Sequence, residues 1–455
     1  MSEDNSAEDI GPRHIAKRLA ADHPKRILAL DGGGTRGIVS LVFLAEIERV
    51  LGERFAKMGY YRDASEFRLA HYYDMIGGTS VGSMIAVQLA WGDRVSDIER
   101  RFKISARKIF TRNVAGRFGN WVAGKLSDQA QRAFGSLFDA RTLRGAVWGV
   151  VGNEPLGSDK LHTGLTVISK RVDSGSVWAL NNNPGGRYYA ANKDHPLPDL
   201  VRASTAAPTF FSPKSIRIYN AKSATFDGLF VDGGISPHNN PALKLLLMAG
   251  VSGYNFGGAR EGAEDYPKAW PLGADNLLIT SVGTGSFDHI VTNIDNAVDA
   301  ATAVQGMVND GQELAMTLLQ WLSSPRRAWT VDRMYGDMSG DNLGEVFGQP
   351  DGLISFHRYD VKLDKKWLED ELEVAVTDAH LEELRDFTSV SAIDPLRDIT
   401  AKAAHQVDDQ DFPAIFDGNL WQDGELLKQQ KFNKVADISN VEPPIQTDEE
   451  SAHAS

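Results

Sequence analysis

The sequence lacks cysteine altogether, which excludes a disulfide framework, a thiolate metal site and a cysteine nucleophile. It is also short of basic residues: 48 lysines and arginines against 61 acidic residues give a net charge of −13, so we expect no nucleic-acid partner. No segment approaches the roughly 18 apolar residues of a membrane span, and the polar N-terminal stretch contains no apolar core of a secretory signal. These absences predict a cytoplasmic protein that meets membranes only peripherally, and they are compatible with delivery to another cell by a Sec-independent route.

The chain does contain enough hydrophobic sequence, 42% of 455 residues, to bury a large core. Residues 1–24 are polar and predict a flexible N-terminal arm, while residues 435–455 predict an acidic disordered tail. Between them, we expect residues 25–430 to form one domain. Within it the loop-rich segment 287–352 is a candidate cap or insertion.

Short apolar runs alternate with helical patterns along this domain. Such alternation is typical of a three-layer α/β/α fold with a mostly parallel central sheet, whose functional sites lie at the carboxyl ends of the strands. The predicted strands are Ile27–Leu30, Tyr72–Ile76, Leu165–Ser169, Phe226–Val231, Leu277–Ser281 and Ile354–Leu363. The predicted helices are Ile38–Leu51, Ser83–Ala90, one around Asp378–Phe387, and two that begin near Pro198 and Pro241.

A serine between two glycines follows the second predicted strand, in the stretch GGTSVGS. Gly78, Ser80 and Gly82 form the pattern G-x-S-x-G, in which small neighbours permit a strained turn that exposes a nucleophilic hydroxyl at a helix N-terminus. The alternative is an ordinary glycine-rich turn with an N-capping serine. The position between a strand and a helix favours a nucleophile.

A run of glycines follows the first predicted strand, in the stretch DGGGTRG. Gly33, Gly34 and Gly37 allow main-chain amides to point outward and hold an anion at a helix start, as an oxyanion hole requires. Two other interpretations stay open. Gly32, Gly34 and Gly37 also satisfy the dinucleotide pattern G-x-G-x-x-G, and the stretch resembles the first phosphate loop of actin-like sugar kinases, although a kinase would leave the serine motif unexplained.

Asp232 ends another apolar run, FVDGG, and is a candidate general base because an acidic residue at a strand's carboxyl end is positioned for a cleft. A turn-forming aspartate is the alternative. His238, six residues later, could complete a Ser-His-Asp triad. Its position in a turn rich in proline and asparagine favours a histidine at the surface or behind the site.

These three motifs, in this order, resemble those of the patatin-like phospholipases. The resemblance rests on Asp31–Gly37, Gly78–Gly82 and Asp232–Gly234, with further likeness in Arg202–Pro213 and in the strand and loop that end at Gly285. It implies a patatin-like fold and a serine-aspartate dyad without a catalytic histidine. It also implies an acyl-enzyme intermediate, with no metal and no cofactor.

The resemblance further implies a role for each candidate residue. Ser80 attacks an ester carbonyl, Asp232 accepts its proton and later activates water, and the amides of the glycine run hold the oxyanion. Arg36 resembles an arginine in the equivalent loop of related cytosolic phospholipases, which implies contact with a lipid phosphate or support of the loop. An ion pair that holds the turn is the structural alternative.

A basic amphipathic stretch, Glu99–Lys125, lies shortly after the serine motif. Such a segment can lie on an anionic membrane surface, and packing of its apolar side chains in the core is the alternative. The basic residues predicted to contact a membrane are Arg100, Arg101, Lys103, Arg107 and Lys108, interleaved with the apolar residues Phe102, Ile109, Phe110, Phe118 and Trp121.

The motifs and the resemblance together predict a lipid acyl hydrolase of the phospholipase A type that cleaves fatty-acyl esters of phospholipids. A sugar kinase, and a lipid-binding regulatory module in which catalysis is secondary, are the alternatives. The motifs identify neither an activator nor a preferred ester position.

Overall fold

The computed structural model describes residues 13–110, 138, 140–208, 210–219, 225–254, 269–287, 300–331, 336–338 and 340–417. The predicted tail, residues 435–455, lies outside these residues. In the described part of the chain, eight strands form one sheet: β1 Lys25–Leu30, β2 Met75–Thr79, β3 Gly164–Arg171, β4 Val177–Asn181, β5 Lys214–Tyr219, β6 Thr225–Asp232, β7 Gly273–Val282 and β8 Ile354–Tyr359. The α-helices are α1 Arg13–Ala20, α2 Gly37–Lys57, α3 Leu69–Tyr72, α4 Val81–Ala90, α5 Val95–Ile109, α6 Ala140–Val151, α7 Tyr189–Asn192, α8 Leu197–Ser204, α9 Ala242–Gly250, α10 Ala300–Trp321, α11 Lys365–Leu372, α12 Asp378–Arg385 and α13 Ile393–Ala403.

The strands are arranged in the order β5-β6-β3-β2-β1-β7-β8, with β4 also paired to β3. Strands β3, β2, β1, β7 and β8 are parallel to their neighbours in this series, and β4, β5 and β6 pair antiparallel. The mostly parallel sheet is thus confirmed. Its register places Leu30 beside Gly78 and Ser169 beside Asp232, so the three sequence motifs emerge at one edge of the sheet.

Helices cover both faces of the sheet. Successive residues of a strand point to opposite faces: Leu28 and Leu30 of β1 belong to one buried cluster, whereas Ile27 and Ala29 belong to another. The first cluster includes side chains of α2, α4, α5 and α13, and the second includes side chains of α1, α9 and α10. The fold is therefore the three-layer α/β/α arrangement predicted from the sequence.

Part of the predicted flexible arm is packed on the sheet. Helix α1 buries Ile15 and Leu19, one helical turn apart, and the guanidinium of Arg18 donates to the carbonyls of Ala70 and Tyr73 at 2.7 and 2.9 Å. The prediction of an arm is wrong for residues 13–24. Two apolar residues in a charged segment give a weak pattern, and the partners of Arg18 lie far away in sequence.

The segment 287–352, predicted to be loop-rich, contains the 22-residue helix α10. Leu319 of α10 belongs to the second buried cluster, so this helix covers the sheet within the connection between the parallel strands β7 and β8. The prediction is wrong for residues 300–321. Glycine, asparagine and aspartate lower the helix propensity of this stretch, and burial against the sheet compensates for that loss.

Strand β2 lies further along the chain than predicted. The residues Leu69–Tyr72 form one helical turn, and the strand extends over Met75–Thr79 instead of Tyr72–Ile76. The two adjacent tyrosines, Tyr72 and Tyr73, have high strand propensity, but their rings pack edge to face with centroids 5.1 Å apart. Because of this shift, β2 ends at Thr79, directly before Ser80.

Candidate active site

Ser80 lies in a sharp turn between β2 and α4. Its backbone has φ 53° and ψ −126°, a conformation that costs a non-glycine residue about 1–3 kcal/mol and must be enforced by the surroundings. The Ser80 amide donates to the hydroxyl of Ser204 at 2.9 Å, and that hydroxyl donates to the carbonyl of Ile168 at 2.5 Å. Ser204 thus ties the turn to β3, a role that sequence reasoning missed although the residue lies within the RASTAAP stretch.

Gly78 and Gly82 allow this turn to close tightly. A Cβ on Gly78 would lie 2.2 Å from the carbonyl carbon of Gly82, and a Cβ on Gly82 would lie 2.3 Å from the carbonyl oxygen of Leu30. Both neighbours are backbone atoms that cannot rotate away, so only glycine fits at either position. The two glycines therefore bring the start of α4 against the end of β1.

Asp232 ends β6 and contacts Ser80 directly. The Ser80 hydroxyl donates to Oδ2 of Asp232 with an Oγ–Oδ2 distance of 2.6 Å. The other carboxylate oxygen, Oδ1, accepts from the amide of Gly234 at 2.6 Å. The structure thus brings together the serine and aspartate that the sequence motifs singled out, with the carboxylate oriented by its own loop.

Burial raises the pKa of the Asp232 carboxyl. The residue is 5% exposed, and loss of solvation raises its pKa to about 6, although hydrogen bonds from Ser80 and Gly234 and the charge of Arg202 lower it. The carboxylate is therefore a stronger base than an aspartate in water and is still ionised at neutral pH.

The glycine turn, which we define as residues 32–34, presents unpaired amides beside Ser80 and Asp232. Within the described part of the chain, no hydrogen bond uses the N–H of Gly33 or Gly34, and both residues line a cavity shared with Ser80. A Cβ on Gly32 would lie 3.0 Å from the Cβ of Ser80. The turn therefore lies against the candidate nucleophile, where its amides can bind an anion.

Residues far along the chain hold the glycine turn. The carbonyl of Gly32 accepts from the hydroxyl of Thr284 at 2.8 Å, and the amide of Gly32 donates to the carbonyl of Asn239 at 3.2 Å. The amide of Thr35 donates to the carbonyl of Phe387 at 2.8 Å. Sequence reasoning missed Thr284, Asn239 and Phe387 in this role, because none of them has a local pattern that marks it.

A buried ion cluster lies at the base of the turn. Arg358 on β8 donates to Asp31 and to Asp360, each at 2.7 Å, and Asp360 accepts from the amide of Gly285 at 2.8 Å. Arg358 is the ion-pair partner that compensates both carboxylates, and loss of one partner of a buried pair is strongly destabilising. One arginine therefore fixes Asp31, where the glycine turn begins.

Gly37 lies apart from these amides, contrary to its prediction as an oxyanion donor. Its N–H donates to the carbonyl of Gly34 at the start of α2, and it does not line the cavity. A Cβ on Gly37 would lie 2.8 Å from Cγ2 of Val81. Gly37 is a packing residue that lets α2 approach the serine turn.

Arg36 supports a neighbouring loop through a hydrogen bond. Its Nη1 donates to the carbonyl of Gly285 at 3.1 Å, and its guanidinium lies 5.1 Å from the ring centroid of Phe287. Among the described residues no carboxylate forms an ion pair with Arg36. The ion pair named as the alternative role of this residue therefore does not hold the turn. Burial lowers the pKa of Arg36 to about 10, and the side chain therefore stays charged at neutral pH beside the glycine turn.

His238 contributes its backbone and not its ring. Its carbonyl accepts from Oγ1 of Thr79 at 2.8 Å, its pKa is lowered by burial, and it does not line the cavity. Within the described ranges, no group of three or more histidine and carboxylate side chains is placed to hold a metal ion.

Ser80 and Asp232 line a cavity of about 740 Å³. Of the described side chains that line it, the charged ones are Arg36 and Asp232, both at the end near Ser80. The rest of the lining is predominantly apolar and includes Phe102, Ile109, Phe110, Leu143, Phe211 and Phe387. A cavity with a reactive polar end and apolar walls suits a ligand with a long apolar part.

Helix α5 directs the apolar side chains of the predicted membrane stretch into this cavity. Arg101 is 4% exposed and pairs with Asp93, so the prediction that it contacts a membrane is wrong. The helical repeat places Arg101 on the inner side of α5 with Phe102. Phe118 and Trp121 lie outside the described residues.

The other basic residues of α5 lie on its outer side. Arg100 and Arg107 are 64% and 68% exposed, Lys108 is exposed, and Lys103 pairs with Asp394 at 3.1 Å. In the part of the chain that the structure describes, no helix has the length and apolar character of a membrane span.

Comparison with known proteins relates this chain to a protein family. Residues 28–246 match the family model described as patatin-like phospholipase. The chain is 28% identical over 260 residues to a cGAMP-activated phospholipase of Vibrio cholerae serotype O1, covering 57% of this chain and 64% of the relative. It is 30% identical over 270 residues to patatin-like protein 1 of Arabidopsis thaliana, covering 57% of this chain and 58% of the relative.

The chain thus spans about three fifths of the length of these two relatives. Among solved structures, human GIVD cytosolic phospholipase A2 aligns with 90% of this chain and 66% of that chain, at 10% identity and a TM-score of 0.35. By the family match, this chain carries a patatin-like phospholipase domain over residues 28–246.

Proposed function

We propose that this protein is a lipid acyl hydrolase that cleaves the fatty-acyl esters of phospholipids through a serine-aspartate dyad. The observation that carries the proposal is the 2.6 Å contact between Ser80 Oγ and Asp232 Oδ2 beside an apolar cavity. The names of the relatives, which include a phospholipase and a patatin-like protein, support a lipid substrate. The dyad itself is explained neither by a sugar kinase nor by a dinucleotide site.

In the first half-reaction, Ser80 Oγ attacks the ester carbonyl carbon while Asp232 accepts the hydroxyl proton. Negative charge develops on the carbonyl oxygen, and the amides of Gly33 and Gly34 stabilise it, each typically by about 3 kcal/mol. The tetrahedral intermediate then expels the alcohol, which takes the proton from Asp232. The products are an acyl-serine and the lipid alcohol.

In the second half-reaction, water attacks the acyl-serine. Asp232 accepts a proton from the water, the fatty acid departs, and the proton returns to Ser80 Oγ. Because Asp232 with a pKa of about 6 must be ionised to act as a base, kcat/KM should rise about tenfold per pH unit up to this pKa and then level off.

Charged groups around the cavity are candidates for contact with the polar part of the lipid. Arg36 stays protonated beside the glycine turn, where it can meet a phosphate. The exposed residues Arg100, Arg107 and Lys108 are proposed to contact an anionic bilayer, each contributing roughly 1 kcal/mol. Unchanged binding of a triple glutamate variant to anionic vesicles would remove the bilayer part of this proposal.

The test is release of fatty acid from phospholipid vesicles by four proteins: wild type, Ser80→Ala, Asp232→Asn and the control Ser174→Ala, which alters an exposed turn. Because one relative is named as cGAMP-activated, each assay is run with and without cGAMP. Wild type and control should release fatty acid, and both dyad variants should be slower by about 10³-fold or more. Equal release by all four proteins would refute the dyad, and ATP-dependent sugar phosphorylation would favour the kinase.

A further inference from the structure

The cavity beside the dyad runs along one side of helix α5. Phe102, Ala106 and Ile109 all line it, and their spacing of four and three residues places them on one face of the helix. With a rise of 1.5 Å per residue, this face extends over about 10 Å. The three side chains therefore form a continuous apolar track on the cavity wall.

One end of this track lies at the serine turn. A Cβ on Gly37 would lie 2.8 Å from Val81 Cγ2 and 3.4 Å from Phe102 Cε2, so Phe102 and the residue that follows Ser80 both lie against Gly37, and both line the cavity. At the other end, Ile109 packs with Phe138, Leu143 and Phe211 in a small cluster separate from the two cores of the sheet. The track leads from the reactive hydroxyl to an apolar cluster.

Ala106 lies between these ends. It is 2% exposed, and its methyl group is the smallest side chain among the three residues of the track. A larger side chain at position 106 would project into the cavity, where there is space for it, and would separate the Ser80 end from the Ile109 end. This position therefore controls how much of the cavity is continuous with the dyad.

We infer that the track formed by Phe102, Ala106 and Ile109 holds an extended, unbranched long acyl chain, and that Ala106 sets the chain length the enzyme accepts. The inference rests on the proposed function and adds a substrate class to it. Beyond the catalytic end, the described lining offers no charged partner, so a charged head group there would lose its solvation without compensation. The acyl chain occupies the track, and the head group stays at the Ser80 end.

The experiment compares butyryl and palmitoyl esters as substrates for wild type, Ala106→Phe and Ile104→Phe. Ile104 is on the same helix but 37% exposed and away from the cavity, so it is the matched control. Each methylene that loses its contact should reduce kcat/KM about fourfold. Ala106→Phe should therefore lose about tenfold or more on the palmitoyl ester and less than about twofold on the butyryl ester, while the control matches wild type.

A second variant enlarges the cavity instead of filling it, so the inference remains testable even if Ala106→Phe does not fold. Leu143→Ala enlarges the apolar end of the cavity and should raise the palmitoyl-to-butyryl ratio of kcat/KM. Equal losses on both esters in Ala106→Phe, together with an unchanged ratio in Leu143→Ala, would overturn the assignment.

Binding of a fluorescent long-chain fatty acid separates this inference from the proposed function. If wild type hydrolyses neither ester, with or without cGAMP, the proposed function fails. The track is still supported if Ala106→Phe weakens fatty-acid binding about tenfold while Ile104→Phe does not. Equal binding by all three proteins overturns the track whether or not the protein hydrolyses esters.

Discussion

The glycine turn and the serine turn end the neighbouring strands β1 and β2, yet glycine serves a different purpose in each. At the serine turn, Gly78 and Gly82 allow close packing of backbone, and the residue with positive φ is Ser80 itself. At the glycine turn, Gly34 adopts the positive φ of 58°, and missing side chains leave amides uncovered. Similar composition therefore encodes tight closure in one turn and donor exposure in the other.

The two turns also differ in what holds them. Ser80 is fixed by Ser204 and Ile168, which lie inside the region matched by the family model. The glycine turn is fixed by Asn239, inside the matched region, and also by Thr284 and Phe387, which lie beyond it. Segments beyond the matched region thus help to support the amides beside Ser80 and Asp232.

We expect the largest effect on stability and activity from a substitution that prevents the serine turn from closing tightly. Gly78→Ala places a Cβ 2.2 Å from the backbone of Gly82, and it should lower the free energy of unfolding by about 3 kcal/mol and remove activity. Gly250→Ala is the control, because a Cβ at this position would make only ordinary contact, 3.4 Å from Cδ2 of Leu272. Urea denaturation measures both, and equal stability of the two variants would contradict the packing role of Gly78.

A substitution in the glycine turn should mainly lower kcat. Gly34→Ala would bring a Cβ to 2.2 Å from the carbonyl of Phe387 at a φ of 58°, displacing the amides, and kcat should fall about 10²–10³-fold with little change in KM. Gly59→Ala controls for the backbone conformation, since Gly59 has φ 81° and nothing within 4 Å. Steady-state kinetics with an intact thermal transition distinguish this from unfolding, and a normal kcat would exclude these amides as the oxyanion hole.

Burial of the Asp232 carboxyl costs stability by an amount that depends on pH. Because the pKa of Asp232 is raised from 3.8 to about 6 on folding, the folded state binds its proton more tightly, and stability falls as pH rises through this interval. The stability advantage of Asp232→Asn over wild type should therefore be about 2 kcal/mol smaller at pH 4 than at pH 7. Urea denaturation at both pH values tests this, with Asp227→Asn on the exposed part of β6 as control.

The smallest effect is expected from the side chain of His238. His238→Ala should leave kcat/KM within about twofold of wild type, because the ring does not line the cavity and the backbone carbonyl that accepts from Thr79 is retained. A loss comparable to that of Asp232→Asn in the same assay would reinstate a histidine base and a triad.

Local patterns predicted most of the sheet, and they singled out Ser80 and Asp232, which the structure brings into contact. The predicted runs at Ile27, Leu165, Phe226 and Leu277 all lie within strands, because each combines an apolar stretch with a following turn signal. The predictions of a loop-rich segment where α10 forms and of membrane contact by Arg101 were wrong. The helix forms because it packs against the sheet, and Arg101 is buried because segments distant in sequence cover that face of α5.

By itself, the sequence determined most of the parallel strands and the residue types that follow three of the strands, since these depend on short-range periodicity and on residues within a few positions. Only the tertiary structure decided that Gly37 packs while Gly33 and Gly34 keep their amides unpaired. It also decided that Arg358 supports Asp31 across 327 positions. Hydrogen bonds and close contacts between distant segments leave no local pattern, because their partners meet only when the sheet and its helices have assembled.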